Sequence, residues 1–291
     1  PDPIHDDRKR LKKETKAFKF LHTHGIYSVP KVIWSDFILN FGLFEWINGL
    51  KVNEVTSDNI IDAISFVESL AVLSKNTPYE KFRLASGACL SGKMIEDQIQ
   101  NRYRKLRGYA NSNFPLKDFL EKQFSKALNK MMGNSRKSWP DDFNIQLSKE
   151  NQLLSPSDFG FHNAFQTKGG LKFIDFEYFG WDDPSKLTCD FMLHPGMTLA
   201  NEQKKLWWRG MKDIFSQDKS FNQRIAASYC LYGLCWCLIQ LNVFSIGEQK
   251  KRNLVVGKKH LLEKKQVLQL DKSKNLLEHL DEVSKHGLPY E

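Results

Sequence analysis

Between Asp58 and Lys75, apolar residues fall at Ile60, Ile61, Ala63, Ile64, Val67, Leu70, Ala71 and Leu73, the spacing of a helix buried along one face. Near the start, Leu11, Ala17, Phe18, Phe20 and Leu21 make a second helical stripe among lysines, within Arg10–Leu21. Met94–Tyr109 and Leu116–Met132 read as two further helices, separated by Asn111-Ser112-Asn113 and Pro115. The second is expected to end near Gly133-Asn134. After Pro195, helices are expected over Asn201–Phe215 and Gln223–Phe244. A basic helical tail with irregularly spaced leucines closes the chain, and that irregularity predicts packing against the body of the protein, not a coiled coil. Strands are expected over Ser28–Trp34 and over Phe37–Leu39 with Gly42–Ile47, punctuated by turns before Asn48-Gly49. Ala164–Lys172 reads as a hairpin around Gly169-Gly170. Tyr229–Phe244 is the most apolar run, yet it carries Gln240 and Asn242 and falls short of the ~20 residues that span a bilayer. It is read as a buried core helix, so no membrane span is expected.

Composition narrows the class. With 291 residues, 41% of them hydrophobic and 12% aromatic, the chain can bury a substantial core as one large or two modest domains. A net charge of +9 attracts anions, but many of the lysines lie in two end segments, Arg8–Lys19 and Lys250–Lys274. Between them there is no zinc-finger spacing and no ribonucleoprotein motif, so no specific nucleic-acid partner is expected. Five cysteines, an odd number without regular spacing, fit reduced thiols and a cytoplasmic location. Cys235-Trp236-Cys237 lies in an apolar run and is read as packing.

The chemistry concentrates in Ser155–Asn163 and Phe173–Glu177. Asp158 and Asn163 stand five residues apart, and Asp175 follows twelve beyond the Asn. Folding the hairpin at residue 169 would set Asn163 opposite Asp175, and two such oxygen ligands suit a hard cation such as Mg²⁺. Phosphoryl transfer needs this combination: metal held against the donor's phosphates, and Asp158 orienting the attacking hydroxyl or taking its proton. Gly87–Lys93 mimics a phosphate-cradling Gly-x-x-x-x-Gly-Lys loop, but Met94 stands where a Ser or Thr should bind Mg²⁺, and no buried strand precedes it. It is read as a connector before a helix.

These segments resemble the catalytic and metal-binding loops of the aminoglycoside phosphotransferase and choline-kinase-like family, which has a protein-kinase-like fold. The resemblance makes Asp158 the catalytic residue and Asn163 and Asp175 the metal ligands, the latter in Ile-Asp-Phe-Glu where protein kinases carry Asp-Phe-Gly. Family members usually have His-Gly before the catalytic Asp; here Pro156-Ser157 stands there. Ser157, His162 and Glu177 are expected to support the site, and Asp190 matches a buried Asp that braces the catalytic loop. Glu14 falls where the first helix carries a Glu that pairs with a strand Lys. Phe44, Glu45 and Trp46 fall at the hinge that receives adenine, and Ile174 joins them in the nucleotide site. Glu96, Asp97 and Glu177 are candidates to face a cationic or hydroxyl-rich acceptor.

The resemblance spans about residues 8 to 245 and is strongest from 153 to 195. Only 13 residues precede Glu14, too few for the first three strands, the nucleotide-covering loop and the Lys. The expectation is therefore an α+β, two-lobed kinase-like fold with a partial N-terminal lobe (1–50) and a mostly helical C-terminal lobe (51–291). Its expected activity is transfer of a phosphoryl group from ATP or GTP, with Mg²⁺, to a hydroxyl of a sugar, aminoglycoside or amino alcohol. The alternative is a non-catalytic, pseudokinase-like binding module.

Overall fold

In the computed structural model, residues 9–111, 113–245 and 259–290 are described. They fall into two compact units: one runs to Leu90 and adds Leu147–Phe221 and Tyr290, the other comprises Ser91–Gln146 and Asn222–Pro289. These units divide the chain at other places than the lobe boundary expected at residue 50. The short strand that begins there pairs with the 164–173 hairpin and so shares its unit.

The first unit opens with α1 (Arg10–Thr23), which buries Thr15, Ala17, Phe18, Phe20 and Leu21, nearly the stripe read from the sequence. An antiparallel ribbon follows, β1 (Val32–Asp36) with β2 (Phe41–Phe44). Phe37–Leu39, expected as strand, instead forms the turn. The Asp36 carboxylate accepts the N–H groups of Ile38 and Leu39 at 2.8 and 2.9 Å, and Asn40 takes φ 55°. That side-chain mimicry of a backbone turn outcompetes three apolar residues. Next come β3 (Leu50–Lys51) and α2 (Ser57–Lys75), whose Thr56 and Asn59 form a reciprocal cap. β4 (Leu153–Ser155) pairs with β7 (Gly180–Asp182), while β5 (Ala164–Thr167) and β6 (Gly170–Phe173) form the hairpin that extends β3. Pro184–Leu193 and Asn201–Ile214 are helical.

An aromatic column organises this unit. Phe159 stacks between Phe66 and Phe191, with ring centroids at 5.5 and 5.8 Å, and Phe191 lies on Trp207 at 3.8 Å. Phe176 meets Phe18 at 5.2 Å. Phe159 and Phe176 each directly follow a carboxylate of the proposed chemistry, so core burial fixes the backbone that carries Asp158 and Asp175.

The second unit is helical. Before α3 (Gly92–Ala110), Gly87–Leu90 is irregular and Ser91 caps the helix, accepting from Met94 N–H at 3.2 Å, so the phosphate-loop lookalike is a helix start. α4 (Phe114–Asp118) runs through a π-helical segment, Phe119–Phe124, into α5 (Ser125–Ser138). The helix does not stop at Gly133-Asn134. It ends where Trp139, preceding Pro140, is forced into extended geometry (ψ 134°). The two helices named above become α6 (Pro184–Leu193) and α7 (Asn201–Ile214). They are followed by α8 (Phe221–Gln240), with a 3₁₀ turn to Phe244, and α9 (Lys259–His286). Phe221–Phe244 has the length and composition of a membrane span, but 72% of its apolar window is buried within the protein, as in a core helix. α9 packs on α8: Ser273 Oγ donates to the Cys237 carbonyl at 2.9 Å, and a Cβ on Gly233 would collide with Leu280. The part of the basic tail from Lys250 to Lys258 lies outside the described residues. None of the five cysteines is joined in a disulfide.

Candidate active site

After β4 the chain must turn sharply to send Phe159 into the core. Ser157 does this at φ 72°, a left-handed conformation that costs a non-glycine residue about 1–2 kcal/mol. Its N–H donates to Ser155 Oγ and the Asp158 N–H to the Pro156 carbonyl, both at 3.0 Å. The Ser157 hydroxyl itself is buried without a partner. Asp158 is thereby planted at the rim of the aromatic column. One 3₁₀ turn, Phe161–Asn163, then brings Asn163 back, and its side-chain N–H donates to the Asp158 carbonyl at 3.0 Å. With the amide nitrogen so engaged, the amide oxygen is the atom that could ligate a cation.

The hairpin register differs by one from the sequence expectation. Ala164 pairs with Phe173 and Thr167 with Gly170, so the turn is Lys168-Gly169 and Asn163 lies opposite Ile174, whose N–H donates to the Asn163 carbonyl at 2.9 Å. The Thr167 hydroxyl fixes this turn, accepting from Gly169 N–H and donating to the Gly170 carbonyl. In a regular strand, a one-residue slip would move Asp175 to the other face. Asp175 avoids that continuation by taking φ 66°. The next residue, Phe176, is held by α1, where the Glu14 carboxylate accepts the Phe176 N–H at 3.2 Å.

The electrostatics divide the carboxylates. Burial raises the pKa of Asp158, but hydrogen bonds from His162 and His194 outweigh it and hold the group well below the usual carboxylate range. Their Nε2 atoms lie 3.2 and 3.4 Å from Asp158 Oδ1. Glu14 is pushed up to about 7, first by burial and then by the charge of Asp175. Asp175 is raised by burial, by Glu177 and by Asp158. Arg10 faces Glu177 at 3.7 Å. Surplus negative charge beside hard oxygen donors is the environment a divalent cation relieves, so Asn163 and Asp175 fit Mg²⁺.

His194 is the residue that sequence reading missed. It follows α6, 36 positions beyond Asp158, and no spacing rule connects them. Its ring stacks on His162 with centroids 3.7 Å apart and planes 7° apart. Two glycines make room: a Cβ on Gly160 would lie 2.6 Å from Met197 Sδ and 3.0 Å from His162 Nδ1, and one on Gly196 would lie 2.9 Å from His194 Cε1.

The other expected residues fall in varied places. Phe44 meets Phe18 edge-on at 5.9 Å. The Glu45 N–H donates to the Lys31 carbonyl, and its side chain accepts from Lys31 N–H at 3.0 Å and faces Lys172 of β6 at 3.4 Å. Trp46 is 89% exposed, so its side chain walls no site. Ile174 is half-buried beside Asp175. Asp190 sits on α6 and accepts from Lys186 at 2.9 Å; Lys186 also faces Asp182 at 3.6 Å. Asp182 is fully buried and takes the N–H groups of Cys89 and Asp183, each at 2.9 Å. Glu96 pairs with Arg136 and Asp97 with Lys93, which occupies both with neighbours in the second unit.

By sequence, no protein-family model and no curated protein matches the chain. By structure, it resembles the AMP-bound spectinomycin phosphotransferase APH(9)-Ia at TM-score 0.59 and 14% identity, over 95% of this chain and 84% of that one. An amicoumacin kinase, hAmiN, in complex with AMP-PNP and Ca²⁺, gives TM-score 0.56 and 15% identity over 92% and 79%. The choline kinase of Cryptosporidium parvum gives 0.53 and 12% over 96% and 81%. These are protein-kinase-like phosphotransferases. At such identities the likeness is one of fold, and the fold is the α+β one expected from the resemblance.

Proposed function

We propose that this protein transfers a phosphoryl group from ATP or GTP to a hydroxyl of a small molecule. The observation that carries this reading is that Asn163 bonds the Asp158 backbone and receives the Ile174 N–H, while the adjoining Asp175 feels the charge of Asp158. Structures of like fold hold AMP or AMP-PNP, which supports a nucleotide donor here. Asn163 and Asp175 would hold Mg²⁺, which when bound neutralises phosphate charge and orients the transferred group. Asp158, ionised and acceptor-only, orients the attacking hydroxyl and takes its proton. Glu14 holds the Phe176 backbone and thereby the segment carrying Asp175. Phe44 to Trp46 would receive the adenine through their backbone, and Ile174 would lie against the nucleotide. Sugars, aminoglycosides and amino alcohols are the acceptor classes. The odd number and irregular spacing of the cysteines fit a reducing, cytoplasmic setting.

A second reading is nucleotide binding without transfer. Transfer of labelled γ-phosphate from Mg²⁺-ATP or Mg²⁺-GTP to a panel of these acceptors separates the two. Transfer that falls on the order of 10²–10⁴-fold in Asp158→Ala supports the enzyme. Nucleotide binding with no transfer to any acceptor supports the binding module.

A further inference from the structure

Asp158, His162 and His194 form a compact group whose potential donor atoms all lie within 4.8 Å of one another. Two-histidine, one-carboxylate sets hold transition metals, and the Nε2–Oδ1 separations of 3.2 and 3.4 Å resemble the edge of a zinc tetrahedron, about 3.3 Å for bonds near 2.0–2.1 Å. One feature of the geometry speaks against an ion. The His194 Nδ1 accepts the Gly196 N–H at 3.0 Å. A neutral ring with that bond carries its proton on Nε2, which then has no lone pair for a metal.

The same facts describe two donors aimed at one oxygen. His194 Nε2 lies 3.4 Å from Asp158 Oδ1, and His162 Nε2 lies 3.2 Å from the same atom. His162 Nδ1 is buried and unpartnered, so the bond at Nε2 is what fixes this ring. We infer that His162 and His194 are positioning residues: both donate Nε2–H to Asp158 Oδ1, lock the rotation of the carboxylate, and leave Oδ2 to meet the acceptor hydroxyl. The terminal torsion of an aspartate is broad and roughly two-fold, so an unpinned carboxylate would sweep through angles that miss the hydroxyl. Transfer needs reacting atoms held about 3–3.5 Å apart, and a 1 Å error can cost on the order of 10²-fold in rate. Ring stacking holds the two donors as one rigid block, and Gly160 and Gly196 leave the space that the block needs. The inference rests on Asp158 being the base.

Two experiments test it. Proton-detected ¹⁵N NMR of the histidine rings, on the whole chain at pH 8, should show both rings with the proton on Nε2. Both signals should shift and exchange faster in Asp158→Ala. An Nδ1–H tautomer on either ring overturns the clamp, even if the variant does not fold, and so do ring signals unmoved in a folded variant. The second compares His194→Ala with His194→Gln, whose amide N–H₂ can reach the same oxygen, using Mg²⁺-ATP with an accepted hydroxyl compound, or with water as acceptor and ADP release as readout. The alanine variant should lose on the order of 10²-fold in kcat with KM for ATP unchanged, and glutamine should recover most of it. Wild-type kcat in His194→Ala, or glutamine no better than alanine, overturns the inference. If Asp158→Ala keeps full turnover, the base reading falls instead, and the NMR result still reports on the hydrogen bonds.

Discussion

Replacing Glu14 with Gln should make the protein more stable at alkaline pH and change little in acid. The Glu14 carboxyl is pushed from 4.5 to about 7 by burial and by the charges of Asp175 and Glu177. Its folded pKa therefore exceeds its unfolded one, and the fold favours the protonated form. The stability tied to this group is fully present below about pH 4.5 and is lost as pH rises through about 7. By pH 8 the full difference corresponds to roughly 3 kcal/mol, of which about 2 kcal/mol accrues between pH 5 and pH 8. Gln carries no charge and keeps an oxygen to accept the Phe176 N–H, so it removes the penalty and retains the bond. Urea unfolding of both proteins at pH 5, 6, 7 and 8, with EDTA present, measures the difference directly. The advantage of the Glu14→Gln variant is expected to grow by about 2 kcal/mol across this range. A constant difference, or a less stable variant at pH 8, would refute the reasoning and point to a cation already paired with Glu14.

Further outcomes follow from the same geometry. Ser157→Gly should stabilise by about 1 kcal/mol or more, because it relieves left-handed strain and removes a buried orphan hydroxyl, against a smaller loss from added chain flexibility. A lower urea midpoint in that variant would show that the hydroxyl has a partner. Lys186→Met should cost about 3–5 kcal/mol, since it strands the buried Asp182 and its neighbour Asp190 without their cation. Thermal unfolding unchanged from the wild type would mean that those carboxylates are neutral in the folded protein.

Helices such as α2 and α7 were legible because one-sided apolar spacing over three or more turns leaves a single way to bury the stripe. Turns decided by one hydrogen bond were less so. Asp36 converts Phe37–Leu39 from strand to turn, and the Thr167 hydroxyl shifts the hairpin by one residue, which the Gly169-Gly170 pair could not reveal. The order Asp158, Asn163, Asp175 was legible because the three are close in sequence. His194 was not, since the packing of α6 against the column, and not any local pattern, delivers it to Asp158. Ser157 illustrates a third case: the resemblance marks its position as unusual, and the reason, a positive φ, appears only in three dimensions.

Calorimetric titration with ATP, with and without Mg²⁺, on the protein and on Asp175→Ala tests the central claim most directly. Binding that needs Mg²⁺ and disappears in the variant is the expected result. Binding indifferent to the metal and to the substitution, or no binding by either protein, would contradict a phosphoryl-transfer site built on Asn163 and Asp175.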